Sequence, residues 1–156
     1  MSEPTPTLYD WAGGAEALER LTETFYARVR EDEVLEPVFR GMDPDHPKHV
    51  AAWLGEVFGG PSVYTDEHGG YPHMLRKHRG LALTEEQRFR WVSLMLRAAD
   101  EADLPSDPEF RSAFAAYVEW GTRLALANSQ PGAAPPPEAP VPRWGWGEAP
   151  PYRPGA

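Results

Sequence analysis

Apolar residues recur at helical spacing through the first 130 residues, and this periodicity limits the folds that the chain can adopt. No segment there alternates apolar and polar side chains as a half-buried strand would. The clearest stripe runs along a helix predicted over about residues 15–31, with members at i, i+3, i+7 and i+11: Leu18, Leu21, Phe25 and Val29. The sequence therefore predicts an all-α domain.

Cap and break residues divide this domain into four substantial helices. After a short turn limited by Pro37, a helix is predicted over about residues 44–58, ended by "FGGP". Capping boxes at 84–87 and 106–109 predict two further helix starts. The last helix is expected to end near Asn128 and carries an apolar stripe in which small Gly121 allows close helix approach: Phe110, Phe114, Tyr117, Gly121 and Leu124.

Residues 59–72 have the composition of a loop, and a short helix over about 73–79 is expected between this loop and Gly80. A connection of this length inside a compact domain is usually functional. His78 closes the short helix, so its imidazole occupies a preset position beside a glycine break.

Residues 131–156 contain nine of the 18 prolines, which excludes regular helix or sheet over most of the segment. The sequence therefore predicts a domain over 1–130 followed by a proline-rich tail over 131–156. Two states of the tail remain open, a flexible spacer and an extended strap. Trp144, Trp146 and Tyr152 favour docking onto the domain or onto a partner, because disordered segments are usually poor in aromatic residues.

Composition excludes several functions. The net charge is −9, and the only basic cluster, "RKHR" at 76–79, is too short for a nucleic-acid footprint. Without cysteine the chain has no disulfides, thiolate metal sites or cysteine nucleophile. No secretory or membrane-length apolar run appears, so no membrane partner and a cytoplasmic location are expected.

Five histidines, at 46, 49, 68, 73 and 78, raise the question of metal binding. His46 and His49 would need a distant third ligand to hold zinc, and a lone HxxH at a helix start is more often a solvated face. A haem iron needs only one axial histidine from the protein, and His78 suits that role. Taken alone, however, a histidine like His78 is more often a surface or satisfied core residue.

Three segments together resemble the truncated haemoglobins of the second group: "ALERLTETFYARVREDEVLEPVF", "AAWLGEVFGGPSVYTDEHGGYPHMLRKH" and "TEEQRFRWVSLM". The resemblance covers residues 8 to about 130. Its most specific parts are the "FY" pair, "FGGPSVYT", and a histidine thirteen residues before a tryptophan. It implies a two-over-two globin sandwich around haem b, iron protoporphyrin IX, with the nearly absent first globin helix matching "LYDWAGG".

The resemblance assigns His78 as the proximal iron ligand and Tyr26 and Trp91 as distal residues. Phenol O–H and indole N–H groups in a dry pocket would stabilise the negative charge that dioxygen acquires at the iron. Each aromatic alone would more often be an ordinary core residue with a polar tip. Their occurrence together at matching positions favours the haem interpretation.

Further residues match the cavity wall and its mouth. Phe39 matches the aromatic packed on the porphyrin, and the apolar distal wall is expected to comprise Val50, Trp53, Leu54 and Val57. Donors to the anionic propionates are expected among His49, Tyr64, Arg76 and Lys77. His46 stands where the family mostly has a small residue, and three roles are open: donating to the gas, ligating ferric iron, or pointing into solvent.

The resemblance implies binding of dioxygen and of other diatomic gases such as NO or CO. Two distal donors suit redox chemistry on dioxygen, such as NO dioxygenation or peroxide reduction, better than simple delivery. Whether the protein is an enzyme stays open, and turnover would require an external reductase. The alternative is a haem-based sensor or interaction module that recruits a partner through its tail, and a homodimer is also open.

Overall fold

A computed structural model describes residues 4–135 and 139–148. Tyr152, one of the tail aromatics singled out above, lies outside these ranges. The described residues form helices and connecting turns without strands, which confirms the all-α prediction. The helices are α1 Leu8–Ala12, α2 Gly14–Glu31, α3 Glu36–Phe39, α4 His46–Val57, α5 Val63–His68, α6 Gly70–His78, α7 Glu85–Glu101 and α8 Pro108–Asn128.

Helix α2 forms the centre of the molecule. Its predicted apolar stripe is entirely buried, with Leu18, Leu21, Phe25 and Val29 all at 0% exposure. The helix packs against α4 on one side and α7 on the other, and α7 in turn packs against α8. Two helix pairs, α2 with α4 and α7 with α8, therefore form the two layers of the expected two-over-two sandwich.

The helix starts test the two predicted capping boxes. Thr84 and Gln87 form the predicted box, since the Thr84 hydroxyl accepts from the Gln87 backbone and the Gln87 side chain accepts from the Thr84 backbone. The box predicted at 106–109 is wrong. Asp107 caps α8 instead, because its carboxylate accepts from the Phe110 N–H and Pro108 occupies the first helical position.

The loop predicted over 59–72 is also wrong, because α5 and the start of α6 lie within it. Gly69 and Gly70 join these helices with φ of 89° and 66°, values that glycine adopts without strain. The buried Glu56 carboxylate of α4 accepts from the backbone N–H and the hydroxyl of Thr65. This tertiary contact holds α5, a six-residue helix too short to be stable by itself.

The tail residues 139–148 contain no helix or strand and lie against the helical domain. Val141 is buried in the core. The Trp144 backbone N–H donates to the Val57 carbonyl at 2.8 Å, and the Trp146 indole donates to the Pro6 carbonyl at 2.8 Å. These contacts bond residues 139–148 to the domain. No helix in the described parts of the chain has the length and apolar character needed to cross a membrane.

Removing the docked tail should destabilise the domain. A chain ending at residue 130 loses the burial of Val141, Trp144 and Trp146, which we expect to lower the free energy of unfolding by roughly 2–4 kcal/mol. Urea unfolding followed by circular dichroism measures this change. Arg143→Ala, which changes an exposed side chain of the same tail, is the control and should unfold like the wild type. Equal stability of the shortened and full chains would contradict the docking.

Candidate functional site

One cavity of about 570 Å³ lies among α2, α3, α4, α5, α6, α7 and α8. This volume is within the range of small-molecule and cofactor sites. The cavity brings together nearly all the residues singled out from the sequence, although they are spread over more than sixty positions of the chain. Those in its wall are Tyr26, Phe39, His46, His49, Val50, Trp53, Leu54, Tyr64, Lys77, His78 and Trp91.

His78 is the last residue of α6, and its imidazole lies in the cavity wall with a fixed orientation. Its Nδ1 lies 2.9 Å from the Met74 carbonyl oxygen, one turn earlier, so Nδ1 carries the proton and donates. Burial lowers the pKa of His78, opposed by the Met74 bond, so the ring is neutral near pH 7. Its Nε2 lone pair has no hydrogen-bond partner among the described residues and is available to a metal atom.

Tyr26 and His46 form a hydrogen-bonded pair in the same cavity. The Tyr26 hydroxyl lies 2.9 Å from His46 Nε2, although α2 and α4 are joined only through α3 and its flanking turns. Burial lowers the pKa of His46 to about 4, so at neutral pH its Nε2 either accepts the Tyr26 proton or donates its own, depending on the tautomer. Burial also raises the pKa of Tyr26, which keeps the phenol protonated.

The observed position of His46 argues against one of the three roles left open for it and leaves donation to the gas and ligation of ferric iron open. Its ring does not point into solvent, because it is only partly exposed and is bonded to Tyr26. His46 and Pro47 occupy the first turn of α4. The reason the side chain turns inward is that the Tyr26 hydroxyl, 1% exposed, offers a partner that compensates the buried imidazole.

Trp91 supplies a second polar group to the cavity. It is held by an edge-to-face contact with Phe25, at 4.9 Å between ring centroids. Its indole N–H has no hydrogen-bond acceptor among the described residues, so this donor is free for a molecule in the cavity. Phe39 closes the group by packing against Tyr26 at 5.6 Å and against His46 at 6.0 Å.

The four residues expected to donate to the propionates differ in where they lie. Lys77 and His49 line the cavity and are partly or fully exposed, as a site for anionic groups requires. Arg76 is exposed and does not line the cavity, which departs from its predicted place there. Tyr64 lines the cavity but is only 2% exposed, so it belongs to the inner wall and not to the mouth.

The remaining histidines do not form a metal site in the part of the chain that the structure describes. His49 and His68 lie with ring centroids 4.4 Å apart, and His73 lies near Tyr64. Yet no three histidine, aspartate or glutamate side chains in the described ranges are arranged to hold a metal ion. His46 and His49, whose spacing suggested a solvated helix face, both line the cavity instead.

Several cavity residues were missed from the sequence, two of them on α6. Tyr71 and Met74 line the cavity and precede His78 by seven and four positions, so the three share one face of α6. This i, i+3, i+7 spacing could have identified both as neighbours of His78 on one helix face, but Tyr71 was assigned to a loop. Tyr117 was expected only as core, and it also lines the cavity, where its ring fills the space beside Gly121. Gly121 thus makes room for a side chain of its own helix.

Tyr117 also bonds directly to another wall residue. Its hydroxyl oxygen accepts from the Trp53 indole N–H at 2.7 Å in a buried contact. The Trp53 ring packs edge-on against Tyr64 at 5.1 Å and stacks on Tyr71 at 6.4 Å. This end of the cavity is therefore a set of aromatic rings fixed by one buried hydrogen bond.

Comparison with known proteins places the chain among globins. A family model for bacterial-like globins matches residues 7–116. The group 2 truncated haemoglobin YjbI of Bacillus subtilis is 33% identical over 94 residues, 60% of this chain and 70% of that protein. The group 1 truncated haemoglobin GlbN of Mycolicibacterium paratuberculosis is 34% identical over 68% of this chain and 74% of its own length.

Solved structures share the fold. A haemoglobin from the thermophilic bacterium Chloroflexus aurantiacus superposes with a TM-score of 0.69 at 30% identity, over 78% of this chain and 98% of that one. The oxygen-avid truncated haemoglobin of Bacillus subtilis gives 0.69 at 29% identity, over 78% of this chain and 99% of its own. The group II truncated haemoglobin of Bacillus anthracis gives 0.71 over 85% and 100%, at 24% identity.

Proposed function

Because the chain belongs to the bacterial-like globins, as a truncated haemoglobin of group II that binds haem b and diatomic gases, we propose that His78 holds the iron and that Tyr26 and Trp91 donate to dioxygen. Haem b supplies an iron atom with one coordination position for a protein ligand and one for a gas. The observation that carries the proposal is the orientation of His78, whose Nδ1 bonds Met74 while its Nε2 stays free in the cavity wall.

The residues of the cavity fit a haem in three respects. The volume of about 570 Å³ suits a cofactor of this size class, and the wall is mostly apolar and aromatic. The neutral His78 ring is oriented by a backbone carbonyl, the arrangement that fixes the tautomer of metal-binding histidines. Lys77 and His49 supply donors for the two propionates at the exposed side.

Tyr26, His46 and Trp91 would act on the gas through hydrogen bonds. The Trp91 indole N–H has no acceptor to give up, so it donates without breaking an existing bond. The Tyr26 hydroxyl is already paired with His46 at 2.9 Å. In the tautomer with the proton on His46 Nε2, the imidazole donates to the Tyr26 oxygen and leaves the phenolic proton free for dioxygen. His46 therefore sets how readily Tyr26 donates.

The truncated haemoglobin of Bacillus subtilis is oxygen-avid, which agrees with such a donor set, and we extend this property to this chain. An absorption spectrum of the purified protein tests the proposal. We expect a Soret band that shifts on reduction and again on adding CO. A colourless protein that takes up no haemin on reconstitution would contradict haem binding, whereas a coloured protein that ignores CO and dioxygen would contradict gas binding alone.

Donors for a gas that acquires negative charge also favour NO dioxygenation as an activity, with peroxide reduction as a related redox reaction. In this reaction NO, dioxygen and one electron give nitrate, and the electron comes from an external reductase. We expect about one nitrate per haem when NO is added to the oxygenated protein, and continued turnover only with a reductase. Nitrate analysis by ion chromatography measures the yield, and a yield near zero would exclude the activity.

The sensor or interaction function expected as an alternative would use the tail to recruit a partner. Trp144 and Trp146, the aromatic residues in the described part of the tail, already donate to the Ala113 and Pro6 carbonyls of the domain. A partner would have to displace these bonds. The contacts therefore favour gas binding by the domain over recruitment through the tail.

A further inference from the structure

Trp144 joins the end of α4 to the N-terminal part of α8. Its backbone N–H donates to the Val57 carbonyl at 2.8 Å, and its indole N–H donates to the Ala113 carbonyl at 3.1 Å. Val57 is the last residue of α4 and Ala113 lies in the second turn of α8. One tail residue thus bonds to both helices at once.

The Trp144 ring also covers two residues whose other sides line the cavity. Its centroid lies 5.6 Å from the Tyr117 ring and 5.5 Å from the Trp120 ring. Tyr117 is 6% exposed with the tail in place. Without Trp144, water would reach the outer side of Tyr117, and the Tyr117 ring would lose a packing partner.

Tyr117, which packs against Trp144, is bonded through its hydroxyl to a residue of the cavity wall. The Trp53 indole N–H donates to it at 2.7 Å, and Trp53 lies one turn before Val57 on α4. The helix end bonded by Trp144 and the wall residue bonded by Tyr117 therefore belong to the same segment. Movement of Tyr117 or of the α4 end would change the position of the Trp53 indole beside Tyr64 and Tyr71.

We propose that Trp144 is a positioning residue of the gas cavity, acting through Tyr117 on the Trp53 indole. The inference rests on the proposed function, since a fixed Trp53 matters for gas only if the cavity holds the haem. Trp144 and Tyr117 both lie beyond residue 116, where the globin family match ends. The described tail residues would then tune gas binding in a cavity that they do not line.

The test compares Trp144→Ala with Trp146→Ala in the haem-loaded, CO-bound protein. Trp146 anchors the same tail through Pro6, Trp11 and Phe110 but has no contact with Tyr117, so it is the matched control. Nuclear magnetic resonance measures solvent exchange of the Trp53 indole N–H. We expect about tenfold faster exchange in Trp144→Ala and less than twofold change in Trp146→Ala.

A second readout is the CO dissociation rate after ligand replacement. We expect Trp144→Ala to change it about fivefold, the scale of coupling between distinct sites. Tyr117→Phe keeps the ring that Trp144 covers and removes only the acceptor of Trp53, so it should reproduce both effects even if Trp144→Ala folds poorly. Unchanged values in Tyr117→Phe, or equal effects of the two tail variants, would overturn the proposal.

A failure of the proposed function can be distinguished from a failure of the positioning role of Trp144. If the wild type carried no haem, its Soret band would be absent, while indole exchange would still report the Trp144, Tyr117 and Trp53 contacts in the haem-free chain. If the Soret band and CO binding were present but exchange were the same in all variants, only the positioning role would be wrong.

Discussion

His78→Ala should yield a protein that folds but loses its haem. The substitution removes the imidazole whose Nε2 is free in the cavity wall, while alanine keeps the helical propensity of α6. Since this is the bond by which we propose that the chain holds the iron, we expect haem affinity to fall by about a hundredfold or more, on the scale of several kcal/mol for a lost metal ligand. Haemin titration followed at the Soret band measures the affinity.

His68→Ala is the matched control, because His68 is also a partly exposed histidine at the end of a short helix but does not line the cavity. It should keep the wild-type affinity. Free imidazole added to His78→Ala should restore part of the haem spectrum by occupying the vacated space. An unchanged haem affinity in His78→Ala would show that another residue holds the iron and would remove the basis of the proposed site.

Tyr26→Phe should release dioxygen much faster than the wild type. The phenylalanine fills the same space among Phe25, Phe39 and His46 but has no hydroxyl to donate. Loss of one hydrogen bond to a charge-bearing ligand corresponds to roughly a tenfold to hundredfold increase in the dissociation rate. Stopped-flow mixing of the oxygenated protein with dithionite measures the rate.

Tyr71→Phe provides the control for Tyr26→Phe. Tyr71 is another buried phenol in the cavity wall, and its hydroxyl has no hydrogen bond among the described residues. Because this hydroxyl makes no such bond, its loss should change the dioxygen dissociation rate less than threefold. If Tyr26→Phe behaved like Tyr71→Phe, then Trp91 and His46 would carry the stabilisation without Tyr26.

His46→Leu separates the two members of the distal pair. Without His46 the Tyr26 hydroxyl keeps its proton and loses its present partner at 2.9 Å, so it is free to donate to the gas. We expect dioxygen release in His46→Leu to be slower or unchanged if His46 competes for the Tyr26 proton. A faster release would mean that His46 itself donates or orients Tyr26 for donation, and the same stopped-flow experiment distinguishes these outcomes.

Most helices could be predicted because their signals are local. The stripe of Leu18, Leu21, Phe25 and Val29 reflects one buried helix face, and the Thr84 box reflects backbone N–H groups that lack partners at every helix start. The capping box predicted at 106–109 was wrong because Asp107, one residue further on, caps equally well and precedes a proline suited to the first turn. Helix α5 was not predicted because its stability comes from a contact with Glu56, a residue of another helix.

The sequence by itself determined the helical layers and, through the pattern of His78, Tyr26 and Trp91, the family and its cofactor. Only the tertiary structure decided that His46 bonds Tyr26, that Arg76 lies outside the cavity, that Tyr71 and Tyr117 line it, and that the tail docks through Trp144. The physical reason is the range of the interactions. Helix periodicity and caps act within a few residues, whereas a hydrogen bond between α2 and α4 or between Trp53 and Tyr117 depends on how separate helices pack.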